Sequence, residues 1–487
     1  MSVSRRTVLR GGPLICAVTA AAVLGAGTGR VAAAPHDASS SRATARAAAA
    51  AAKPHVAFGG RVKHVVVIYQ ENHSFDETLG WFCQQHPGRC DGYIGPVRLS
   101  DGTVVGMRPS PDVVPNVAHT VAAQTAAIDG GKMDGWGNVG GCTAAAGYNC
   151  LTFYTGRWVA NLVALGSKFV VSDRTFSLAN SPSWGGHVYA AAATQDNFTG
   201  DLPTRERGVR IAGPGWGCNS HLVTPWIDPT THLVSMQPSC IPAKPGTLNA
   251  KTHPYNGAFR ATPAKYVPTI FDRLDAKHLT WKLYSSVSEW SICPSFAECE
   301  YTKQHRHVVK PVRILGDADH ARLPSYSVLL PVGPGGTSQH NATSMVAGDN
   351  WIGRVVRHLE RSPDWSSTAV FITYDDCGCF YDHVPPGINP DGTAQGIRVP
   401  MVIVSPYARV GYTDSHRATF ASILRFTEEA LGLSALGAND RAAYDYSSSF
   451  NFAAKPSGPR VALTQQPVPA ATRRYLAAHP DTADDPT

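Results

Sequence analysis

Residues 64–76 of this 487-residue chain read HVVVIYQENHSFD, and this stretch decides the fold. Residues 64–69 form a short run rich in β-branched apolar side chains, which is typical of a buried strand. A carboxylate, Glu71, and an amide, Asn72, follow the run almost at once. Sites in open α/β sheets are built where strands end at their carboxyl side. The stretch therefore predicts both a buried strand and a polar site at its end.

A second strand of the same kind also ends in acidic residues. Residues 369–374 read AVFITY and are followed by Asp375 and Asp376. Two such strand ends predict one shared divalent metal ion, because unpaired buried carboxylates are costly. The expected ligands are Glu71, Asn72, Asp375 and Asp376. Oxygen ligands favour Ca²⁺, Mg²⁺ or Mn²⁺, although Zn²⁺ also accepts carboxylates. The alternative is that Glu71 and Asn72 only cap a following helix.

Strand-like and helix-like patterns alternate along much of the chain. Residues 169–172 and 399–405 are strand-like, whereas residues 349–359 and 419–431 have helical spacing. This alternation predicts an α/β fold with a mostly parallel central sheet and helices on both faces. Residues 200–320 differ, since they are rich in Pro, Cys, Trp and His and show little periodicity. We expect them to form an irregular cap insertion over the strand ends.

The chain is expected to divide into four segments. Residues 1–34 combine a twin-arginine pattern at residues 4–9 with a small-residue apolar stretch. They predict a twin-arginine-type signal peptide, the matching export machinery as a partner, and a secreted, cell-wall or periplasmic location. An uncleaved membrane anchor is the alternative. Residues 35–53 are of low complexity and predict a disordered linker. Residues 54–455 form the main domain, and residues 456–487 form a Pro/Ala-rich C-terminal tail.

Composition excludes some partners. The formal net charge is +7, but residues 1–34 contribute four arginines and no acid. No basic stripe with interleaved aromatic residues is visible, so nucleic acid is not an expected partner. Outside the leader, no segment approaches the ~18 apolar residues of a spanning helix, so stable membrane insertion is not expected. A low charged fraction of 16% with 45 Gly and 36 Pro residues indicates a loop-rich secreted protein.

The cysteines also indicate an oxidising destination. Cys16 lies in the leader, and the ten others fall in close pairs. We expect disulfides between residues 83 and 90, 142 and 150, 218 and 240, and 293 and 299. A Cys-rich zinc site is the alternative, but no CxxC pair is present. Cys377 and Cys379 stay ambiguous, because a disulfide between residues so close in sequence is strained.

Seven blocks spread over about residues 63–452 resemble a bacterial phosphoesterase family. That family contains secreted acid phosphatases and phospholipases C, within the alkaline-phosphatase-like superfamily. The similar blocks are residues 71–76 (ENHSFD), 115–119 (PNVAH), 131–136 (GKMDGW), 181–189 (SPSWGGHVY), 339–340 (QH) with 348–349 (GD), 375–384 (DDCGCFYDHV) and 398–407 (RVPMVIVSPY). The resemblance implies an alkaline-phosphatase-like sandwich and a metal-dependent phosphoric ester hydrolase.

The resemblance also implies the reacting residues. Ser183 stands at the nucleophile position, with Ser181 and Ser177 as rivals, because Ser is common in turns. His119 and His340 match positions that contact the phosphate, where they can hold its oxygens or protonate the leaving group.

Several other residues of the similar blocks have expected or doubtful roles. His305 or His307 can supply a further phosphate contact, whereas His73 and His383 are expected beside the ligands. The chain departs from the family at residues 185–186, which are Gly-Gly in place of Pro-Asn. It departs again at residues 377–379, which are Cys-Gly-Cys in place of Trp-Gly-Gly.

Three functions fit these residues. The first expectation is a secreted acid-phosphatase-like phosphomonoesterase with Ser183 as nucleophile. The alternatives are a phospholipase C that cleaves phosphodiesters of lipid head groups and a non-catalytic protein that binds phosphate esters. The lack of an added β module favours a soluble substrate. Four tryptophans of the expected cap can instead line a choline or lipid pocket; they are Trp216, Trp226, Trp281 and Trp290.

Overall fold

The computed structural model describes residues 60–206, 215–248, 262–286 and 291–480, together with the single residues Phe58 and Gly208. The predicted signal peptide (residues 1–34) and linker (residues 35–53) lie outside the described residues, and so does Trp290.

An eight-stranded sheet forms the centre of the described domain. Its strands are β1 (His64–Gln70), β2 (Val170–Ser172), β3 (Trp281–Tyr284), β4 (Val308–Val309), β5 (Tyr326–Leu329), β6 (Thr368–Tyr374), β7 (Met401–Val404) and β8 (Thr413–Asp414). Across the sheet they follow the order β4-β3-β5-β1-β6-β7-β2-β8. Only β7 is antiparallel to its neighbours. The predicted α/β fold with a mostly parallel central sheet is confirmed.

The strands β1 and β6 bring the two acidic segments together. They pair in register from His64 beside Thr368 to Gln70 beside Tyr374. All of β6 is buried, and β1 is buried beyond His64, which explains their continuous apolar runs. Because the two strands are parallel and in register, Glu71 and Asp375 leave the sheet side by side.

The reversed strand β7 brings further segments to the same edge of the sheet. Since β7 is antiparallel to both β6 and β2, β2 runs parallel to β6. The chain therefore leaves β2 at this edge on its way to Ser183. Met401 at the start of β7 pairs with Thr373 near the end of β6. The loop of residues 375–400 thus begins and ends at this edge.

Helices are distributed between the strands. They are α1 (Phe75–Gln85), α2 (Val121–Ile128), α3 (Ala160–Lys168), α4 (Ser183–Tyr189), α5 (Ile270–Ala276), α6 (Ala297–Tyr301), α7 (Arg313–Asp319), α8 (Met345–Arg361), α9 (Phe420–Leu431), α10 (Ala438–Ala442) and α11 (Ala470–Ala478). The two predicted helices are α8 and α9. The former begins after Ser344, whose hydroxyl accepts from the Ala347 N–H. The latter ends at Gly432, whose φ of 66° suits glycine.

The predicted cap insertion over residues 200–320 is too long. Its first part does form a separate antiparallel sheet of Thr204–Arg205, Leu222–Ile227 and Val234–Pro238. Its second part, however, contributes β3 and β4 to the central sheet. Trp281 lies in β3, where its ring stacks on both Phe271 and His307. That tryptophan is a core residue and does not belong to a cap.

Part of the C-terminal tail packs against the domain. Asn161 in α3 exchanges two hydrogen bonds with the backbone of Thr464. Asn350 in α8 does the same with Gln466. The segment is therefore held by side chains of two helices before α11 begins.

The four predicted disulfides are present, and they join Cys83 to Cys90, Cys142 to Cys150, Cys218 to Cys240 and Cys293 to Cys299. Cys377 and Cys379 are buried free thiols. Among the described residues, no helix has the length and apolar character needed to span a bilayer.

Candidate active site

The turn after β1 is fixed by its neighbours rather than by capping. Ser74 is the N-cap of α1, with its hydroxyl accepting from the Glu77 N–H and donating to the Tyr381 carbonyl. The alternative that Glu71 and Asn72 cap this helix is therefore wrong. Asn72 has a φ of 45°, a left-handed conformation that Asn tolerates better than most residues. The turn points both side chains away from α1 and toward the end of β6.

The amide of Asn72 connects the predicted ligands with the predicted nucleophile. Its Nδ2 lies 2.7 Å from Asp376 Oδ2, 3.3 Å from both carboxylate oxygens of Asp375 and 2.9 Å from Ser183 Oγ. The Asn72 backbone N–H also donates to Asp375 Oδ1 at 3.1 Å. One amide thus lies within hydrogen-bond distance of Ser183, 111 positions away, and of Asp375 and Asp376, more than 300 positions away.

Ser183 is the first residue of α4 and follows Pro182. Its hydroxyl accepts from Asn72 and lies 3.5 Å from Glu71 Oε2, to which it can donate. The rival Ser181 is placed differently, because its hydroxyl accepts from Gln195 Nε2 at 3.4 Å. Ser177 donates to the Ala179 carbonyl at 2.7 Å. Of the three candidate serines, Ser183 is the one that contacts Glu71 and Asn72 at the end of β1.

His187 is a site residue that the sequence interpretation missed. Its Nε2 lies 3.2 Å from Glu71 Oε1 and 3.7 Å from Asp375 Oδ2. All three side chains are buried, and their ligand atoms lie within 4.8 Å of one another. His187 lies four residues after Ser183, on the same face of α4 and within the similar block of residues 181–189. The helical i, i+4 spacing was the signal that could have identified it.

The carboxylates around Asp375 carry an excess of negative charge. Burial, and then the neighbouring Glu71 and Asp376 carboxylates, raise the pKa of Asp375 well above the ordinary range. His187 opposes this rise less than either carboxylate contributes to it. A divalent cation would neutralise the group, so the residues present fit a metal ion.

The donor set differs from the all-oxygen set expected from the sequence. Glu71, His187 and Asp375 supply two carboxylates and an imidazole, a combination that Zn²⁺ and Mn²⁺ accept more readily than Ca²⁺. Asn72 and Asp376 adjoin this group, and Asp376 Oδ1 also accepts from the Gly378 N–H at 2.6 Å. They stay predicted ligands.

The Gly-Gly departure from the family pattern has a steric reason. A Cβ on Gly186 would lie 2.4 Å from the Asp375 carbonyl oxygen, and one on Gly185 would lie 2.3 Å from Gln195 Nε2. Tyr69 in β1 donates to the Gly186 carbonyl at 2.8 Å. The two glycines therefore let α4 lie directly against the end of β6, which sets the position of Ser183.

His119 and His340 form a buried pair. Their ring centroids are 5.6 Å apart in an edge-to-face arrangement. The segments that carry them are joined, since Asn341 Nδ2 donates to the Val117 carbonyl at 3.0 Å, the same carbonyl that lies 3.1 Å from His119 Nδ1. The structure thus brings together two histidines that are 221 residues apart, as expected if both contact one phosphoryl group.

His73 anchors the same region. Its Nε2 lies 2.9 Å from the Gln339 carbonyl, and its Nδ1 lies 2.6 Å from Glu77 Oε2. Burial lowers the pKa of His73 to about 3 and raises that of Glu77. Both pKa shifts oppose separation of charge within this pair. His73 links the β1 turn to the loop of His340.

A second cluster of acids is already neutralised. Asp76, Asp382 and His383 also lie close enough to hold an ion. Arg398 is fully buried among them and binds Asp382 at 3.1 Å and Asp76 at 2.9 Å. His383 Nδ1 lies 2.6 Å from Asp76 Oδ2. This cluster ties α1 to the loop of residues 375–400, and we assign no metal to it.

Other sequence candidates lie in structural positions. His307 Nδ1 lies 2.8 Å from the Trp281 carbonyl, and His305 lies 3.4 Å from Glu300. Trp226 is buried and donates to the Asp196 carbonyl at 2.8 Å. The buried rings of Trp226 and Trp281 are not available to line an open choline pocket.

With this geometry established, comparison with known proteins identifies the class. The Phosphoesterase family model matches residues 62–434, and the chain belongs to the Phosphoesterase family. The chain is similar to non-specific phospholipase C1 of Arabidopsis thaliana, with 25% identity over 399 residues. It is also similar to phospholipase C A of Mycobacterium tuberculosis, with 24% identity over 459 residues.

The matched lengths differ between these relatives. The match to the plant protein covers 74% of this chain and 63% of the plant protein, so the chain spans less than two thirds of that relative. The match to the mycobacterial protein covers 83% of this chain and 80% of the relative. A solved structure from Vibrio parahaemolyticus, described as a protein in the alkaline phosphatase superfamily, overlaps with a TM-score of 0.35 and 13% identity. It covers 79% of this chain and 69% of that one.

Proposed function

We propose that the protein is a secreted, metal-dependent phosphoric ester hydrolase of the phospholipase C type, with Ser183 as its nucleophile. The observation that supports it most directly is the single Asn72 amide that contacts Ser183, Asp375 and Asp376. A hydroxyl beside a buried acidic cluster is the arrangement that hydrolysis through a phosphoserine requires, because the cluster can hold the cation that activates the hydroxyl.

Each residue then has a defined part in the reaction. The Ser183 hydroxyl passes its proton to Glu71 Oε2, 3.5 Å away, and its oxygen forms a bond to phosphorus while the ester P–O bond breaks. A protonated histidine of the His119–His340 pair supplies the proton that the leaving alkoxide takes up, and the other donates to a phosphoryl oxygen. Water then cleaves the phosphoserine and regenerates the hydroxyl. A divalent ion held by Glu71, His187 and Asp375, with Asn72 and Asp376, would supply positive charge that favours the alkoxide form of Ser183.

The relatives favour a diester substrate. Both proteins named above are called phospholipases C, whereas the first expectation from the sequence was a phosphomonoesterase. We therefore place the phospholipase C activity first and keep the monoesterase as the second candidate. A non-catalytic binding protein is disfavoured, since the nucleophile and the acidic cluster are both present.

Secretion is part of the same proposal. The leader of residues 1–34 predicts twin-arginine export, and the four disulfides suit an oxidising compartment. Export of an already folded protein suits a site that holds a metal ion.

A parallel assay tests the substrate class. Purified protein is given p-nitrophenyl phosphate, p-nitrophenyl phosphorylcholine and phosphatidylcholine under identical conditions, with Ser183→Ala as the control for contaminating enzymes. We expect turnover of both choline diesters to exceed that of the monoester. Turnover of the monoester alone would replace the phospholipase C proposal with the phosphatase, and no Ser183-dependent turnover of any of the three would contradict both.

A further inference from the structure

A hairpin in the small antiparallel sheet exposes an apolar face. Its strands are Leu222–Ile227 and Val234–Pro238. Within the described residues, nine large apolar side chains are exposed, and four of them lie on this hairpin. They are Ile227 at 37%, Leu233 at 70%, Val234 at 64% and Met236 at 50% exposure. We call these four side chains the hairpin patch.

The register of the hairpin places the patch on one face. Val234 pairs with Ile227 and Met236 pairs with Pro225, and residues two apart on a strand share a face. Trp226 lies between them on the opposite face, where it is buried. Leu233 extends the patch at the turn. Near its turn, the hairpin therefore exposes an apolar face, although Val223 and Pro238 at the other end of the same face are buried.

Hydrogen bonds and a ring contact hold the hairpin beside the nucleophile helix. The Ile227 N–H donates to the Asn197 carbonyl at 2.9 Å, and the Thr199 N–H donates to the Pro225 carbonyl at 3.0 Å. Between these contacts, Phe198 packs edge-to-face on Trp184 with ring centroids 5.5 Å apart. Trp184 directly follows Ser183. The base of the hairpin is also closed by the disulfide between Cys218 and Cys240.

The charge of the hairpin indicates the kind of surface it fits. Residues 222–238 contain no Lys, Arg or Glu. Their one carboxylate, Asp228, accepts hydrogen bonds from the N–H groups of Thr230 and Thr231. An anionic membrane is met by clusters of Lys and Arg side chains. This segment has neither, and its one histidine, His232, lies in the turn. An apolar face without Lys or Arg matches a zwitterionic phospholipid interface.

We propose that the hairpin patch is the lipid-docking surface of the enzyme and inserts into zwitterionic phospholipid membranes. This inference rests on the proposed phospholipase C function, because a lipid substrate must be reached at an interface. Insertion of the patch would bring the membrane surface close to residues 197–199, the segment that joins the hairpin to α4. The hairpin would then deliver substrate from the membrane without taking part in the chemistry.

The test is the double variant Leu233→Asn/Met236→Gln, with Val312→Asn/Val410→Asn as a matched control. The control side chains are exposed at 62% and 68% but lie outside the hairpin. Binding to phosphatidylcholine vesicles is measured by co-sedimentation, with Ser183→Ala added to every protein so that the lipid stays intact. We expect the hairpin variant to bind about tenfold more weakly or worse and the control to bind normally. We expect the loss to be the same at low and high salt.

Activity separates this inference from the proposed function. With Ser183 intact, we expect the hairpin variant to lose turnover of bilayer phosphatidylcholine but to keep turnover of p-nitrophenyl phosphorylcholine. If the wild type cleaves neither diester, the proposed function fails. The vesicle-binding experiment still tests the hairpin inference in that case. Unchanged vesicle binding by the hairpin variant would overturn the inference. A dimer that the same variant dissociates would also overturn it, since the patch would then be an interface between two copies.

Discussion

The Asn72 side-chain amide donates to the Ser183 hydroxyl oxygen at 2.9 Å, across 111 residues of sequence. The contact requires the turn after β1 to meet the first residue of α4. The same amide lies within hydrogen-bond distance of Asp375 and Asp376, so it bridges Ser183 to both carboxylates. The relationship is therefore a physical link between the predicted nucleophile and the predicted metal ligands.

Replacing Asn72 should separate its chemical role from its backbone role. Asn72→Gly and Asn72→Ala both lose the amide, so we expect each to reduce kcat by about 10²–10³-fold. Only alanine is strained at a φ of 45°, so Asn72→Ala should be less stable than Asn72→Gly by about 1 kcal/mol. Turnover and denaturant unfolding of both variants check this. Equal stability, or a glycine variant with full activity, would contradict it.

Replacing Asp375 with asparagine should have opposite effects on the stability of the metal-bound and the metal-free protein. Asp375→Asn relieves carboxylate repulsion, so without metal it should stabilise the fold by about 1–2 kcal/mol. The same variant should lose bound metal, turnover and the rise in Tm that metal gives the wild type. Metal analysis checks the loss of bound metal, and melting temperatures measured with and without a chelator check both stability effects. Full activity of a demonstrably metal-free wild type would show that no ion is needed.

The close packing of α4 on β6 predicts that Gly186 tolerates no side chain. Gly186→Ala should cost about 1–3 kcal/mol of stability, because its Cβ would lie 2.4 Å from the Asp375 carbonyl oxygen. Displacement of α4 should also lower kcat by more than about tenfold, since small misplacements of reacting groups are costly. Gly316 in α7 has open space around it. As the control, Gly316→Ala should leave activity unchanged and stabilise the protein by about 0.5–1 kcal/mol.

The buried carboxyl of Glu428 predicts that the stability of the protein depends on pH. Burial and the Asp440 carboxylate raise the pKa of Glu428 to about 9. Asp440 itself is held by the N–H groups of Leu436 and Gly437. Between about pH 4.5 and that value, the folded chain binds the proton more tightly than the unfolded chain. Ionisation of Glu428 therefore lowers stability as pH rises.

Glu428→Gln removes this penalty. Its free energy of unfolding relative to the wild type should rise with pH over the same window, by at most about 1.4 kcal/mol per pH unit. Denaturant unfolding at pH 5, 7 and 9 measures the trend, with the partly exposed Glu429→Gln as a control that should show no such trend. A pH-independent difference for Glu428→Gln would mean that the carboxyl is ionised throughout.

Local patterns in the sequence predicted the parts of the site that lie at strand ends. The runs before Glu71 and Asp375 are β1 and β6, and their parallel, in-register pairing brings those residues together. The spacing of eight cysteines gave the four disulfides. These features depend on neighbours close in sequence or on the general geometry of parallel strands, which a pattern can express.

Features that depend on distant partners were not predicted. Trp281 is a core residue only because Phe271 and His307 stack on it, so β3 was misread as part of a cap. His187 was overlooked because its role depends on α4 lying against Asp375, which the two glycines before it permit. The reversed direction of β7 also lacks a local signal.

The measurement that tests the account most directly is the turnover of Ser183→Ala beside that of Ser181→Ala. Ser183 contacts the acidic strand ends, whereas Ser181 packs against Gly185 and Gly200. We predict that Ser183→Ala lowers kcat by about 10³-fold or more with unchanged metal content and Tm, and that Ser181→Ala lowers it by less than about tenfold. If Ser181→Ala is the more damaging change, the nucleophile lies two residues earlier. If a correctly folded Ser183→Ala protein keeps its turnover, Ser183 is not the attacking group and the covalent mechanism is contradicted.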